Sequence, residues 1–189
     1  MSPQLMLYAE IAGTFFGLVS VYLLTVGNGR GWSLGMVWIV LTGMIFFSKG
    51  YYGSTCLQLF FLVTQVIGWR RWRLGEKEDL RAVALKLSVK QVGLLCFILG
   101  FLTVLGAKLL VQADGQSPWW DAFATAGSMV AQVLMVRGYR ECWLVWLAVD
   151  VVYLYLMALA GLKAFLVLYL VFCGLALNGW WQWTRDVQE

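Results

Sequence analysis

The chain has 189 residues, 61% of them hydrophobic and 13% charged, with a net charge of +4 and no histidine. A soluble domain carries about 25% charged residues, so this composition excludes one. It leaves a polytopic membrane protein, whose eleven Trp, eight Tyr and eleven Phe are too many for a polar surface to absorb.

A spanning helix needs about 20 mainly apolar residues, and seven segments approach that length. The first, Leu5–Val26, carries Glu10, Gly13, Thr14 and Gly17 in one stripe. The small residues permit close helix packing. Glu10, at the outer end, either helps ring an entrance that attracts cations or sits among the lipid headgroups. After the turn Gly27-Asn28-Gly29 comes a second span, Trp32–Phe47, and after Lys49-Gly50 a third, Ser54–Trp69. The third holds Gln58 and Gln65 seven residues apart on one face, with Thr64 beside them. Those amides either line a polar path or tie helices together.

Seven of the fourteen Lys and Arg then fall between Arg70 and Lys90. This is the signature of a cytoplasmic loop. A nucleic-acid patch is a poorer reading, because spans flank the stretch on both sides.

The fourth span is Gln91–Val111 and the fifth, beyond Ala113-Asp114-Gly115 and Pro118, is Trp120–Val136. The fifth places Asp121, Thr125, Ser128 and Gln132 within about 60° at roughly 100° per residue. Asp121 is a second entrance candidate, with Thr125 and Gln132 as pore-lining candidates. The sixth span, Cys142–Leu159, puts Trp143, Trp146, Asp150 and Tyr153 within about 80°. A carboxylate near the bilayer centre costs about 2.5–3.5 kcal/mol on insertion scales, so Asp150 must face protein or a wet cavity. Two indoles, a phenol and a negative charge suit a flat cationic aromatic ligand. Trp143 opens the helix, where an interfacial belt residue would also sit. The seventh span, Ala164–Trp183, carries Tyr169 and Asn178. Trp69, Trp72, Trp180, Trp181 and Trp183 end the third and seventh spans beside arginines, as aromatic anchors do.

With the basic loop inside, the N-terminus lies outside and the C-terminus is cytoplasmic. Eleven cations then fall inside and three outside: Lys49, Lys108 and Lys163. No basic stretch precedes the first span and no small-residue cleavage site ends it, so it is expected to stay in the mature chain. Cys56, Cys96, Cys142 and Cys173 fall in apolar segments without C-x-x-C spacing. Together with the missing His, this leaves no expected metal, cofactor or thiol chemistry. An enzyme is the last choice, since no nucleophile–base pair is visible.

Residues 10–72 repeat without a gap at 121–183, an offset of 111. Thirteen positions are identical, among them Leu23/Leu134, Gly27/Gly138, Trp32/Trp143, Gly50/Gly161 and the G-W-x-x-W strings at Gly68 and Gly179. Glu10 pairs with Asp121. Each copy holds three spans and one span separates them, so the copies are expected to be parallel: a 3+1+3 all-α fold with an inverting linker helix. The expected organisation is repeat 1 at 1–73, basic loop and linker helix at 74–111, and repeat 2 at 112–189. The copies are unequal. Gly35 and Ile39 stand where the second has Trp146 and Asp150.

Several strings resemble the PnuC family of vitamin transporters: E-x-x-G-T-x-x-G from Glu10, Y-x-x-x-x-L-Q-L-F-F from Tyr52, G-W-x-x-W from Gly68, the Trp120-Asp121 pair, and W-L-x-W from Trp143 with Asp150 four residues on. The resemblance spans nearly the whole chain. It implies a SWEET-like 3+1+3 homotrimer in the bacterial inner membrane. It also implies facilitated diffusion of an unphosphorylated vitamin, usually nicotinamide riboside, trapped by a cytoplasmic kinase. It implies a binding site between the repeats with Gln58, Trp143, Trp146 and Asn178 around the ligand and Gln65, Asp150 and Tyr169 nearby. Several family members have Asn where this chain has Asp150.

Nicotinamide riboside and thiamine both carry a ring cation that fits a Trp-lined site near Asp150. Neutral riboflavin fits less well. No paired carboxylates are visible, so no proton or sodium coupling is expected. A membrane scaffold acting through the basic loop is the competing class.

Overall fold

The computed structural model describes residues 3–48, 52–74, 84–112, 117–159 and 163–185. The Glu10 side chain, Lys49, the Gly50/Gly161 pair, the Ala113–Gly115 turn and residues 75–83 of the basic loop lie outside the described residues. Among them the chain forms seven helices: α1 (Pro3–Thr25), α2 (Arg30–Ser48), α3 (Tyr52–Leu74), α4 (Val89–Gln112), α5 (Pro118–Arg137), α6 (Cys142–Leu159) and α7 (Lys163–Arg185). Hydrocarbon offers no partner to backbone N–H and C=O groups, so a spanning segment must satisfy them internally. Unbroken helices of 18 to 24 residues do this over about 27–36 Å. Val89–Gln112, Cys142–Leu159 and Leu166–Arg185 are long and apolar enough to cross a membrane, and Ile11–Thr25 and Arg30–Ile45 are shorter apolar stretches. The sixth span has the bounds read from sequence. The third continues five residues past Trp69, because the helix carries its Trp and Arg residues onward rather than ending at them.

The helices form two compact units, Met1–Val83 and Ala84–Glu189. In the first, α2 packs on both α1 and α3. In the second, α6 packs on α5 and α7, and α4 packs on α5. The linker helix therefore groups with the second repeat. Small residues allow the close approach. A Cβ at Gly106 of α4 would come within 3.3 Å of Ala122, and one at Gly127 within 2.5 Å of Val149. Ala122, Ala124, Ala126 and Ala131 of α5 are all buried. In the first unit, Gly13 and Gly17 make room for Trp38 of α2.

The repeat is visible atom by atom in the turns. α1 and α5 both end in a glycine with positive φ, 76° at Gly27 and 82° at Gly138, a conformation that glycine adopts without a Cβ penalty. Gly27 N–H donates to Leu24 O at 3.1 Å and Asn28 N–H to Leu23 O at 2.8 Å. Gly138 N–H donates to Met135 O and Tyr139 N–H to Leu134 O, both at 3.0 Å. This is the same Schellman closure in each copy. The entry into the next helix also matches: Gly31 N–H to Asn28 O and Cys142 N–H to Tyr139 O, both 3.1 Å.

The second shared device is an indole seated on a glycine. Trp32 is fully buried with its ring over Gly68 of α3. Trp143, 1% exposed, lies over Gly179 of α7. Trp183 meets Trp143 edge to face at 5.7 Å and is itself fully buried. The expectation that Trp183 anchors at the membrane interface is corrected: the Gly179 seat draws the Trp143 ring inward, and Trp183 closes over it. Trp181, by contrast, is 55% exposed under the Arg185 guanidinium at 4.7 Å, as an anchor should be.

The outer surfaces are apolar. α4 buries only Ala107 among its described residues and exposes Phe97 and Phe101, stacked at 6.5 Å. The segment before α4 is pinned to the α5–α6 turn. Leu85 N–H donates to Gly138 O at 2.8 Å, Arg140 N–H returns to Leu85 O at 3.1 Å, and Leu87 N–H reaches a Glu141 carboxylate oxygen at 3.2 Å. Arg140 also lies over Trp180 at 5.4 Å. The end of the second unit holding this strap thus collects Arg137, Arg140 and Arg185, while Trp119 and Trp120 mark its other end.

A methyl group added at Gly68 or Gly179 meets a rigid ring rather than a flexible chain end. Gly68→Ala and Gly179→Ala are each expected to lower the stability of the detergent-solubilised protein by about 1–3 kcal/mol, read as a drop in thermal midpoint. Gly174→Ala, where a Cβ meets open space, should leave it unchanged.

Candidate functional site: an acidic and aromatic cluster on α6

Asp150 is the ninth of the eighteen residues of α6 and is 6% exposed. Among the described residues no cation and no hydrogen-bond donor pairs with its carboxylate. An uncompensated buried charge is costly, and the surroundings are aromatic. Tyr153 of α6 and Tyr169 of α7 stack at 4.8 Å with their planes 15° apart. Both phenols, and the Cys173 thiol, lie within electrostatic reach of Asp150. Phe172 meets Tyr169 edge to face at 6.0 Å. On the α5 side, the buried Ser128 hydroxyl donates to Ala124 O at 2.7 Å and faces the Tyr153 phenol, with Asp121 also within reach of that phenol.

The four-residue face read on α6 therefore divides in two. Asp150 and Tyr153 meet Tyr169 in one cluster. Trp143 is turned into the Gly179 seat, where packing with α7 occupies its ring. Trp146 stands between them, half-buried, one turn from each. The indole N–H groups of Trp143 and Trp146 are buried and have no acceptor among the described residues. An apolar groove of about 380 Å³ lies on the other side of α6, lined by Leu144, Leu147, Ala148 and Val151 with Trp120 and Phe123. It does not include Asp150.

Of the remaining candidates, Asn178 lies on α7 and its side-chain oxygen accepts from Gln182 at 3.5 Å. Gln132 is buried on α5, with Thr125 two turns earlier and half-buried. In the first unit, Gln65 is 5% exposed and its amide lies over Gly35, with Ser20 beside it. Gln58 is half-buried, its Cβ 3.6 Å from where one would stand at Gly43. Thr64 spends its hydroxyl on Phe60 O and Phe61 O, at 3.1 and 2.9 Å, as a helix-internal bond that ties no neighbour. Helical spacing puts Tyr153 on the face of Asp150, but its stack with Tyr169 depends on how α6 meets α7, which spacing along one helix does not encode. Gly35 was missed as a partner of Gln65. The inversion of residue size between the copies at that position was its only signal.

Among the described residues no three His, Cys, Asp or Glu side chains converge as a metal site. Seven helices, several of membrane-spanning length and apolarity, define the class as an all-α multi-pass membrane protein. Residues 7–185 match the nicotinamide mononucleotide transporter family, and the chain belongs to it.

The relatives agree with the resemblance to PnuC proteins. The nicotinamide riboside transporter PnuC of Escherichia coli is 27% identical over 96% of this chain and 87% of its own length. The riboflavin/roseoflavin transporter RibM of Streptomyces davaonensis is 28% identical over 96% of this chain and 88% of its own length. A crystal structure of the vitamin B3 transporter PnuC superposes with a TM-score of 0.74 at 25% identity, covering 96% of this chain and 82% of the other.

Trp143 and Trp146 should separate by experiment. Trp143→Ala empties a buried ring site and is expected to cost about 3–5 kcal/mol, seen in the thermal midpoint of the purified protein. Trp146→Ala, at a half-buried position, should cost well under half of that.

Proposed function

We propose that this protein is a facilitative uptake transporter for nicotinamide riboside. The observation that carries the reading is Asp150: a carboxylate buried in an apolar helix, unpaired by any described cation, beside stacked tyrosine rings. Nicotinamide riboside carries its positive charge on a flat aromatic ring. Such a ring offers Asp150 a counter-ion, and offers the tyrosines and Trp146 a stacking and cation–π partner. The relatives named as nicotinamide riboside transporters support the same substrate.

In this reading the ligand binds between the two repeats. Gln58, Gln65 and Asn178 supply amides for the ribose hydroxyls and carboxamide. Trp146, Asp150 and Tyr169 hold the ring, and Trp143 contributes its indole N–H from the packed seat. Glu10 and Asp121, with Thr125 and Gln132 deeper, form the approach. The N-terminus faces out and the basic end faces the cytoplasm of a bacterial cell, and the working unit is a homotrimer. Phosphorylation by a cytoplasmic kinase traps the vitamin, so no ion gradient is needed. In cells lacking the kinase, labelled riboside should equilibrate across the membrane without accumulating.

A second reading is riboflavin, favoured by the similarity to RibM. Riboflavin has no ring cation and gives Asp150 no partner. Thiamine has one and shares the argument made for the riboside. Asp150→Asn keeps the shape and removes the charge. It is expected to weaken binding of nicotinamide riboside or thiamine by about tenfold or more, that is ~1.4 kcal/mol, and to leave riboflavin binding unchanged. Calorimetry on the purified protein with all three vitamins measures this. Equal uptake of labelled riboside by cells with and without the protein would overturn the proposal.

A further inference from the structure

Gln65 and Gly35 form one steric unit. A Cβ built at Gly35 of α2 would collide with Nε2 of Gln65 on α3, and would stand 2.9 Å from Gln65 Cδ and 2.9 Å from Ser20 Oγ of α1. Gln65 is 5% exposed and Ser20 2%. The Ser20 hydroxyl is itself fixed, donating to Gly31 O at 2.7 Å. Three helices thus meet at a point where the amide takes the space that a side chain at position 35 would need.

The second copy inverts the residue sizes at the matching positions. At the offset of 111, Trp146 stands for Gly35, Ala176 for Gln65 and Ala131 for Ser20. Ala176 and Ala131 are 3% and 0% exposed. The large side chain comes from the third helix in the first copy and from the second helix in the second copy.

We infer that Gly35 is a positioning residue for ligand binding: its missing side chain seats the Gln65 amide, and so sets the polar contact that the first repeat offers the vitamin. This rests on the transport reading above, in which Gln65 faces the ligand. Gly35 touches no ligand itself. Its severest clash is with the far end of the flexible Gln65 side chain, the Ser20 hydroxyl oxygen stands 2.9 Å away, and no backbone atom is among its nearest neighbours. A methyl group at position 35 therefore displaces the amide and leaves the bundle folded.

The test is a double-mutant cycle on the full-length purified protein. Affinity for nicotinamide riboside, thiamine and riboflavin is measured by calorimetry, and folding by elution as a single species on gel filtration. Gly35→Ala is expected to weaken binding at least fivefold. In a Gln65→Ala background, Gly35→Ala should change affinity less than twofold, because the group it displaces is gone. Equal losses in both backgrounds would overturn the inference, as would unchanged affinity in Gly35→Ala. The transport reading survives either result, since it is tested by binding to the unsubstituted protein; failure there for all three vitamins overturns both. A second arm holds if Gly35→Ala yields too little protein. Gly35→Trp combined with Gln65→Ala transplants the second copy's sizes into the first. The combination should elute as a folded species where Gly35→Trp alone aggregates. Aggregation of both to the same extent counts against the inference.

Discussion

An indole ring laid on a helical glycine is the contact on which both halves of this protein depend. Inside a bilayer, burial from water gives helices no reason to associate, so packing must come from shape. A glycine removes a side chain from one helix and lets the broadest flat side chain from the next fill the space. Trp32 on Gly68 fixes how α2 meets α3, and Trp143 on Gly179 fixes how α6 meets α7. The residues proposed to meet a ligand are displayed from helices held this way. Gln58 and Gln65 ride on the helix that carries Gly68. Asp150, Tyr153 and Trp146 ride on the helix that carries Trp143, and Tyr169 and Asn178 on the one that carries Gly179.

This frame separates scaffold from chemistry. Positions identical between the copies are mostly structural: the αL glycines, the leucines whose carbonyls close the turns, the indoles and their glycine seats. Positions that differ carry the polar and charged groups. Asp150 answers to Ile39, Trp146 to Gly35, Gln65 to Ala176 and Tyr169 to Gln58. A duplicated unit whose shared positions maintain packing is free to diverge where packing does not decide.

Much of the architecture was legible because lipid imposes length and apolarity on each span. α6 could be bounded to the residue, since Glu141 precedes it and its interior is apolar but for Asp150. α3 was less legible: Trp and Arg at its end satisfy the interface while remaining helical, so apolarity stops before the helix does. Tryptophan was the least legible residue type. Trp181 and Trp183 sit two apart in one string, yet one is open to the surroundings and the other is sealed against Trp143. Which one turns inward depends on a glycine four residues before Trp183 and on a ring in another helix. The Asp150 cluster could be read along α6 but not across to α7, for the same reason.

The matched turns after α1 and α5 have a consequence for how the chain is made. Each closes its two helices within four residues, through hydrogen bonds between near neighbours in sequence. Contacts this local form early, before long loops need closing. As synthesis proceeds from the N-terminus, α1–α2 and later α5–α6 can each enter the membrane as a finished helical hairpin. Trp32 and Trp143 stand at the opening of the second helix of each hairpin, already oriented when the third helix arrives. The glycine seat is carried by that late helix, so the ring waits and the groove docks onto it. Biogenesis of the two repeats then follows one programme run twice.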